Sequence, residues 1–180
     1  MRRLRTYLIG IVFFAALVWL AVYGLRPVPS APRTVGIQVG QIAPNWTLPL
    51  LDGKGSVQLS SLRGHPVWVN FFASWCPPCN AEAPGLAKFA AQNPGLKVVG
   101  VDLTASEKDT AAVTAFVSKY HIQFPVVLDM QNAVANRYQV QFIPTSFFID
   151  RQGVIRVVVQ NPVVATMIPQ YVAKIGYTPK

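Results

Sequence analysis

From about Val39 to the end of the chain, short apolar segments alternate with stretches in which apolar residues recur at helical spacing. The short segments predict buried strands, because they are rich in branched and aromatic residues and are bounded by turn residues. These strand candidates are residues 67–72, 96–101, 126–128, 146–149 and 154–159. Asp150-Arg151-Gln152-Gly153 is typical of a hairpin turn, so the last two strands are expected to be antiparallel.

Helices are predicted after the first two strands and again at the C-terminus. The first is expected to end near Asn93, where an Asn-Pro-Gly sequence stops it. The second is expected to start with a Ser106 cap. The third covers residues 163–175 and is expected to be interrupted near Pro169. The apolar stripes of these helices include Leu86, Phe89, Val113 and Phe116.

Two shorter strand candidates, residues 46–50 and 57–59, lie on either side of an Asp52-Gly53 turn. Together with the later elements they predict an α/β fold, in which a mixed β-sheet is flanked by helices. The expected additions are an N-terminal β-hairpin extension and a central βα insertion.

The N-terminal part of the chain has a different composition. Residues 8–25 are almost wholly apolar and lie between Arg5 and Arg26, a length near that of a membrane-spanning helix. Because Arg2, Arg3 and Arg5 precede this segment, the positive-inside rule places the N-terminus in the cytoplasm and the rest of the chain outside it. A cleaved signal peptide is the alternative, but no good cleavage site follows the apolar segment.

A proline-rich stretch, residues 26–33, predicts a semi-extended linker after the apolar segment. The predicted organisation is therefore a transmembrane anchor at residues 1–25, a linker at 26–38 and one domain at 39–180. We expect a single-pass protein of a bacterial cell membrane, with its domain outside the cytoplasm.

The charge of the chain narrows the classes of function. Its formal net charge is +9, but five of its sixteen basic residues flank or follow the apolar segment. The remaining eleven basic and seven acidic residues are scattered, which indicates a solvated surface and not a nucleic-acid groove. No cofactor is predicted.

The chain has two cysteines, Cys76 and Cys79, and two histidines, His65 and His121. Two neighbouring cysteines are too few for a disulfide scaffold, and the histidines lack the spacing of zinc ligands. No metal site is therefore predicted.

The cysteines are instead placed for thiol–disulfide exchange. They follow a buried strand and open a helix, where free N–H groups and the helix dipole favour a thiolate at Cys76. Cys79, one turn deeper, is expected to resolve the mixed disulfide that Cys76 forms. Pro77 and Pro78 suit the first helical turn, and Trp75 is expected to shape the rim of the site.

The segments NFFASWCPPC (residues 70–79) and Ile143-Pro144-Thr145 together resemble thioredoxin-fold proteins of the TlpA/ResA type. Residues 43–48 and 98–129 are also similar, and the resemblance covers residues 39–175. It implies a thioredoxin-like fold and a membrane-anchored reductant of disulfides in envelope proteins, such as apocytochrome c. It also implies a membrane thiol as electron donor.

The same resemblance implies roles for further residues. Pro144 would be cis and would face the cysteine pair, which would leave the backbone of Ile143 free to pair with an extended substrate beside Thr145. Glu82 matches an acid near the active site of ResA-like proteins and could exchange a proton with Cys79. Asn70 stands where ordinary thioredoxins carry a buried acid, and it is interpreted as a core amide.

Other functions are less consistent with these residues. A peroxiredoxin would carry Thr or Ser three positions before its reactive cysteine, where Ala73 stands, and copper-delivery proteins use a wider cysteine spacing with a histidine. Two alternatives stay open: a disulfide-forming oxidant, and a non-catalytic module that binds unfolded chains near Pro144.

Overall fold

The structure is a computed structural model that describes residues 2–23 and 33–179. The chain divides into two compact units, Met1–Pro32 and Arg33–Lys180. The helices are α1 (Arg2–Tyr23), α2 (Pro77–Gln92), α3 (Thr110–Lys119), α4 (Ala133–Arg137) and α5 (Ile168–Ala173). The strands are β1 (Thr47–Pro49), β2 (Ser56–Gln58), β3 (Val67–Phe72), β4 (Lys97–Asp102), β5 (Val126–Leu128), β6 (Thr145–Ile149) and β7 (Ile155–Val159).

The first unit is described through helix α1, in which the rings of Trp19 and Tyr23 lie 5.7 Å apart. The predicted anchor overlaps α1, except that Met1, Gly24 and Leu25 lie outside the described residues. Over residues 2–23 and 33–179, no helix combines the length and the apolar character needed to cross a membrane.

The second unit begins ahead of the predicted domain boundary at Val39. Residues 26–32 of the predicted linker lie outside the described residues, but residues 33–38 belong to this unit. The Gly36 N–H donates to the carbonyl of Ile42 at 2.9 Å, and the Gly40 N–H donates to the carbonyl of Ile155 at 2.8 Å. The first bond folds this segment back on Ile42, and the second ties the adjoining Gly40 to the edge strand β7.

The main sheet has the order β5-β4-β3-β6-β7. Strand β3 is parallel to β4 and antiparallel to β6, and β6 and β7 form the predicted antiparallel hairpin. Central β3 is buried along its whole length, which explains why five of its six residues are apolar. Strands β1 and β2 form the predicted N-terminal hairpin, and β5 with α4 forms the central insertion. The predicted α/β fold is therefore confirmed.

Side chains of β3 alternate between the two faces of the sheet. Val67, Val69 and Phe71 pack with the β1–β2 hairpin and α4. Trp68 and Phe72 face α2, so Asn70 between them also points to that side. The parallel strands β3, β4 and β5 end in register at Phe72, Asp102 and Leu128, and this edge of the sheet carries the loop with the cysteines.

Three local predictions need correction. Helix α3 is capped by Asp109, whose carboxylate accepts from the Ala112 N–H at 2.9 Å, while Ser106 lies in a preceding 3-10 turn. The C-terminal helix is shorter than predicted, because Pro169 occupies its first turn and the helix starts at Ile168. The third concerns the predicted insertion, whose helix α4 has only five residues, too few for a helical period to indicate its bounds.

Candidate active site

Cys76 is the N-cap residue of α2, directly after the loop that follows β3. Pro77 and Pro78 fill the first two helical positions, where a missing N–H costs little. The first helical amide that can donate is therefore that of Cys79, and it reaches the Cys76 Sγ at 3.2 Å. The local sequence thus aims one backbone donor at the sulfur of Cys76.

The structure joins Cys76 and Cys79 in a disulfide, with Cα atoms 5.3 Å apart. In this oxidised form both residues are 3% exposed, so Cys79 is buried to the same extent as Cys76. The surrounding Trp75, Pro77 and Pro78 are exposed, and Trp75 keeps 55% of its surface. An incoming thiol would meet this apolar rim before it reached sulfur.

The Ile143–Pro144 peptide bond is cis and lies opposite the cysteines. The carbonyl oxygen of Ile143 is 3.6 Å from the Cys76 Sγ. Thr145, the first residue of β6, is buried and donates its hydroxyl to the carbonyl of Phe142 at 2.7 Å. Because β6 pairs with β3, the fold brings together two motifs that are far apart in the sequence.

Glu82 lies one turn after Cys79 and is 5% exposed. It lines a small buried cavity together with Cys79, Asn70 and Phe72. Its Oε1 accepts from the Asn70 amide at 3.2 Å, and Oε2 has no hydrogen bond of normal geometry among the described residues. Burial raises the pKa of Glu82 from 4.5 to about 8, and the nearby backbone of Val163 offsets this only in part.

A second acidic group supports the loop in front of Cys76. Glu107 accepts from the Ser74 N–H and, at 2.6 Å, from the Ser74 hydroxyl. Asp102, fully buried at the end of β4, accepts from the Thr104 hydroxyl at 2.8 Å. Burial raises the pKa of Asp102, and the negative charge of Glu107 adds to that effect.

Asn80 ties the same loop to α3. Its amide donates to the carbonyls of Ser74 and Cys76, both at 2.9 Å. Its side-chain oxygen accepts from the Tyr120 hydroxyl at 2.7 Å. The loop before the cysteines is therefore held from both sides, by Glu107 and by Asn80.

These supporting residues were missed in the sequence. Asp102 has a recognisable signal, because it ends a buried strand that is parallel to the strand before the cysteines. Glu107 and Asn80 have none, since their contacts with Ser74 depend on how loops fold back. His65 and His121 are exposed, and within residues 2–23 and 33–179 no cluster of His, Cys, Asp and Glu could hold a metal ion.

Comparison with known proteins agrees with this geometry. Residues 39–158 match the AhpC/TSA family. Thioredoxin-like protein YneN of Bacillus subtilis (strain 168) is 38% identical over 125 residues, which are 69% of this chain and 72% of that protein. Thiol-disulfide oxidoreductase ResA of the same organism is 37% identical over 139 residues, 75% of this chain and 74% of that protein.

Solved structures extend the comparison to the fold. The secreted disulfide oxidoreductase of Mycobacterium tuberculosis that is homologous to E. coli DsbE superposes with a TM-score of 0.65 at 34% identity. The match covers 71% of this chain and 94% of that structure. The fold of this chain therefore recurs in a solved structure that is described as a disulfide oxidoreductase.

A disulfide at the start of a helix, with a buried acid that lines the same small cavity as Cys79, is suited to exchange with other thiols. Since the relatives are named for that reaction, the protein is a thiol–disulfide oxidoreductase of thioredoxin-like fold. With two thirds of its residues matched, the chain belongs to the AhpC/TSA family, and it is of the ResA/DsbE type within it.

Proposed function

We propose that this protein reduces disulfides in proteins outside the cytoplasm. We base this direction of electron transfer on the small number of hydrogen-bond donors around the Cys76 sulfur. Pro77 and Pro78 have no N–H, so the Cys79 amide is the sole hydrogen-bond donor to that sulfur among the described residues. Because the Cys76 thiolate is poorly stabilised, the disulfide form of the Cys76–Cys79 couple is favoured. The dithiol form is therefore a strong reductant. The carbonyl of Ile143 adds to this, because its negative end faces the sulfur.

The reaction begins with attack by the Cys76 thiolate on a substrate disulfide. A bond forms between the Cys76 sulfur and one substrate sulfur, while the substrate disulfide breaks and its other sulfur leaves as a thiolate. The position of Cys76 at the amino end of α2 favours its charged form over that of Cys79.

Resolution of the mixed disulfide involves Cys79 and Glu82. The thiol of Cys79 transfers its proton to the Glu82 carboxylate, and the resulting thiolate attacks the Cys76 sulfur. The Cys76–Cys79 disulfide forms, and the substrate leaves with both of its sulfurs reduced. Two electrons have then passed from the protein to the substrate.

Return to the dithiol uses the same proton in the opposite direction. In the oxidised form, a pKa of about 8 keeps Glu82 largely protonated at neutral pH. When a donor thiolate attacks Cys76, Cys79 leaves as a thiolate and takes the proton from Glu82. One carboxyl group thus serves as the acid in re-reduction and as the base in substrate reduction.

The reduction potential of the Cys76–Cys79 couple tests the proposed direction. We expect a value well below about −200 mV when the full chain is equilibrated with glutathione or dithiothreitol buffers. A value near −120 mV would contradict the proposal and would identify a disulfide-forming oxidant. Pro77→Gly is a matched variant: by adding an amide donor near the Cys76 sulfur, it should raise the potential.

The proposed partners are disulfide-containing envelope proteins, with apocytochrome c as one example, and a membrane thiol that supplies electrons. The resemblance to the TlpA/ResA type supports both. We further propose that residues 8–25 anchor the chain in a bacterial membrane, with the domain on the outer side. Arg2, Arg3 and Arg5, which precede the apolar segment, support this orientation.

Protease treatment of intact spheroplasts tests that location. The domain should be degraded while a cytoplasmic control protein survives, and the chain in the membrane fraction should retain its residues 1–25. Protection of the domain would contradict an extracytoplasmic site. Loss of the first 25 or more residues would replace the anchor with a cleaved signal peptide. Replacement of Arg2, Arg3 and Arg5 by Glu should reduce the fraction of domain that is degraded.

A further inference from the structure

A buried chain of polar side chains connects the central strands to Glu82. The Trp68 indole N–H donates to the Ser146 hydroxyl oxygen at 2.8 Å, and the Asn70 amide donates to the same oxygen at 3.1 Å. The Asn70 amide also donates to Oε1 of Glu82 at 3.2 Å. None of these four side chains is more than 5% exposed.

The pairing of strands determines which way the Asn70 amide points. Asn70 on β3 lies directly opposite Ser146 on β6, so their side chains meet on the face covered by α2. An asparagine amide has two N–H donors, and here one reaches Ser146 and the other reaches Glu82. The amide therefore presents a donor, and not an acceptor, to the carboxyl group.

This orientation has a consequence for the proton on Glu82. Since Oε1 already accepts from the Asn70 amide, a protonated carboxyl group carries its hydrogen on Oε2. Oε2 has no hydrogen bond of normal geometry among the described residues, and the carboxyl group shares its cavity with Cys79. The proton is thus kept on the oxygen that the Asn70 amide does not occupy.

We propose that Asn70, oriented by Ser146, is a positioning residue that holds Oε1 of Glu82 and leaves Oε2 to exchange a proton with Cys79. This inference rests on the proposed function, in which Glu82 protonates the departing Cys79 thiolate. The functional unit is then the hydrogen-bonded amide–carboxyl pair of Asn70 and Glu82. Because Asn and Asp have the same shape, as do Gln and Glu, the two groups can be exchanged without a change in volume.

The exchange of the two groups provides the test. Dithiothreitol reduces the Cys76–Cys79 disulfide of the full chain, and Trp75 fluorescence can follow the reaction between pH 5 and 10. We expect the rate per dithiothreitol thiolate to fall as Glu82 ionises, with an inflection near pH 8. Glu82→Gln should make this profile flat. The double variant Asn70→Asp/Glu82→Gln should stay flat, because the inferred role of residue 70 is to hold the carboxyl group and not to exchange a proton itself. An inflection in the folded double variant would show that residue 70 itself exchanges the proton and would overturn the inference.

Asn70→Leu gives an independent result should the double variant fold poorly. Loss of the donor removes stabilisation of the Glu82 carboxylate, so the inflection should move about one pH unit higher. The matched control is Asn93→Leu, which removes another buried amide at the far end of α2 and should leave the inflection in place. An unchanged inflection in Asn70→Leu would also overturn the inference.

These outcomes separate the inference from the proposed function. A profile that Glu82→Gln leaves unchanged would remove Glu82 from the proton transfer, and the proposed mechanism would fail. A flat profile in Glu82→Gln together with an unchanged inflection in Asn70→Leu would leave that mechanism in place and overturn only the role of Asn70.

Discussion

Replacement of Cys76 by alanine should abolish disulfide reduction, with a loss of about a thousandfold or more in rate. The reason is that Cys76 provides the only sulfur that lies beside both the helix start and the carbonyl of Ile143 among the described residues. Insulin reduction by the full chain, with dithiothreitol as the electron donor, measures the effect. The fold should be retained, because the substituted side chain is small and lies at the N-cap of α2.

The corresponding change at Cys79 separates the two sulfurs. Cys79→Ser should keep the first attack and lose resolution, so that a mixed disulfide between Cys76 and substrate accumulates. Such adducts can be recovered from cells and their protein partners named. If Cys76→Ala retains the cellular function of the protein, the chain acts as a non-catalytic binding module and the proposed chemistry is wrong.

The stability of the protein should fall as the pH rises from about 5 to 8. Glu82 ionises near pH 4.5 in the unfolded chain, but in the folded state its pKa is about 8. Between these values the folded state holds a proton that the unfolded state has lost, so the free energy of unfolding decreases with pH and levels off above about 8. Asp102 acts in the same direction, because its pKa is also raised. The expected loss is on the order of 3 kcal/mol for each group.

Urea unfolding of the oxidised chain at pH 5, 7 and 9 measures the slope of the free energy of unfolding against pH. Glu82→Gln and Asp102→Asn should each reduce it and should raise the free energy of unfolding at pH 9, where the wild type must bury a charged group. Asp52→Asn is the matched control, since this carboxyl group lies on an exposed turn. Equal slopes in the wild type and in a Glu82→Gln/Asp102→Asn double variant would contradict the prediction.

Because several acidic side chains are buried, the formal net charge does not equal the charge of the protein surface. Of the seven acidic residues, Glu82, Asp102, Asp129 and Asp150 are buried. Since burial favours the protonated form of Glu82 and Asp102, the surface is more basic than the formal sum indicates. A count from the sequence gives only a modest surplus of basic over acidic residues, because it does not distinguish a surface carboxylate from a buried one.

Much of the architecture is determined by local sequence patterns. The apolar segment 67–72 coincides with the buried strand β3, and residues 126–128 coincide with β5. The Asp150–Gly153 turn produced the expected antiparallel hairpin. Boundaries were less accurate at Asp109, because several polar residues compete for one cap, and at Pro169, because a proline can either interrupt a helix or occupy its first turn.

The sequence by itself determined that a Cys-Pro-Pro-Cys turn ends a buried strand and opens a helix, since spacing and periodicity are local properties. It also indicated Glu82 as a candidate, through the resemblance to the TlpA/ResA type. Only the tertiary structure decided that Glu82 is buried and bonded to Asn70, and that Ser146 orients that amide. These contacts join strands and a helix that are distant in the chain, and their geometry depends on strand register and side-chain direction. The proton chemistry beside the cysteines is therefore a property of the packed fold.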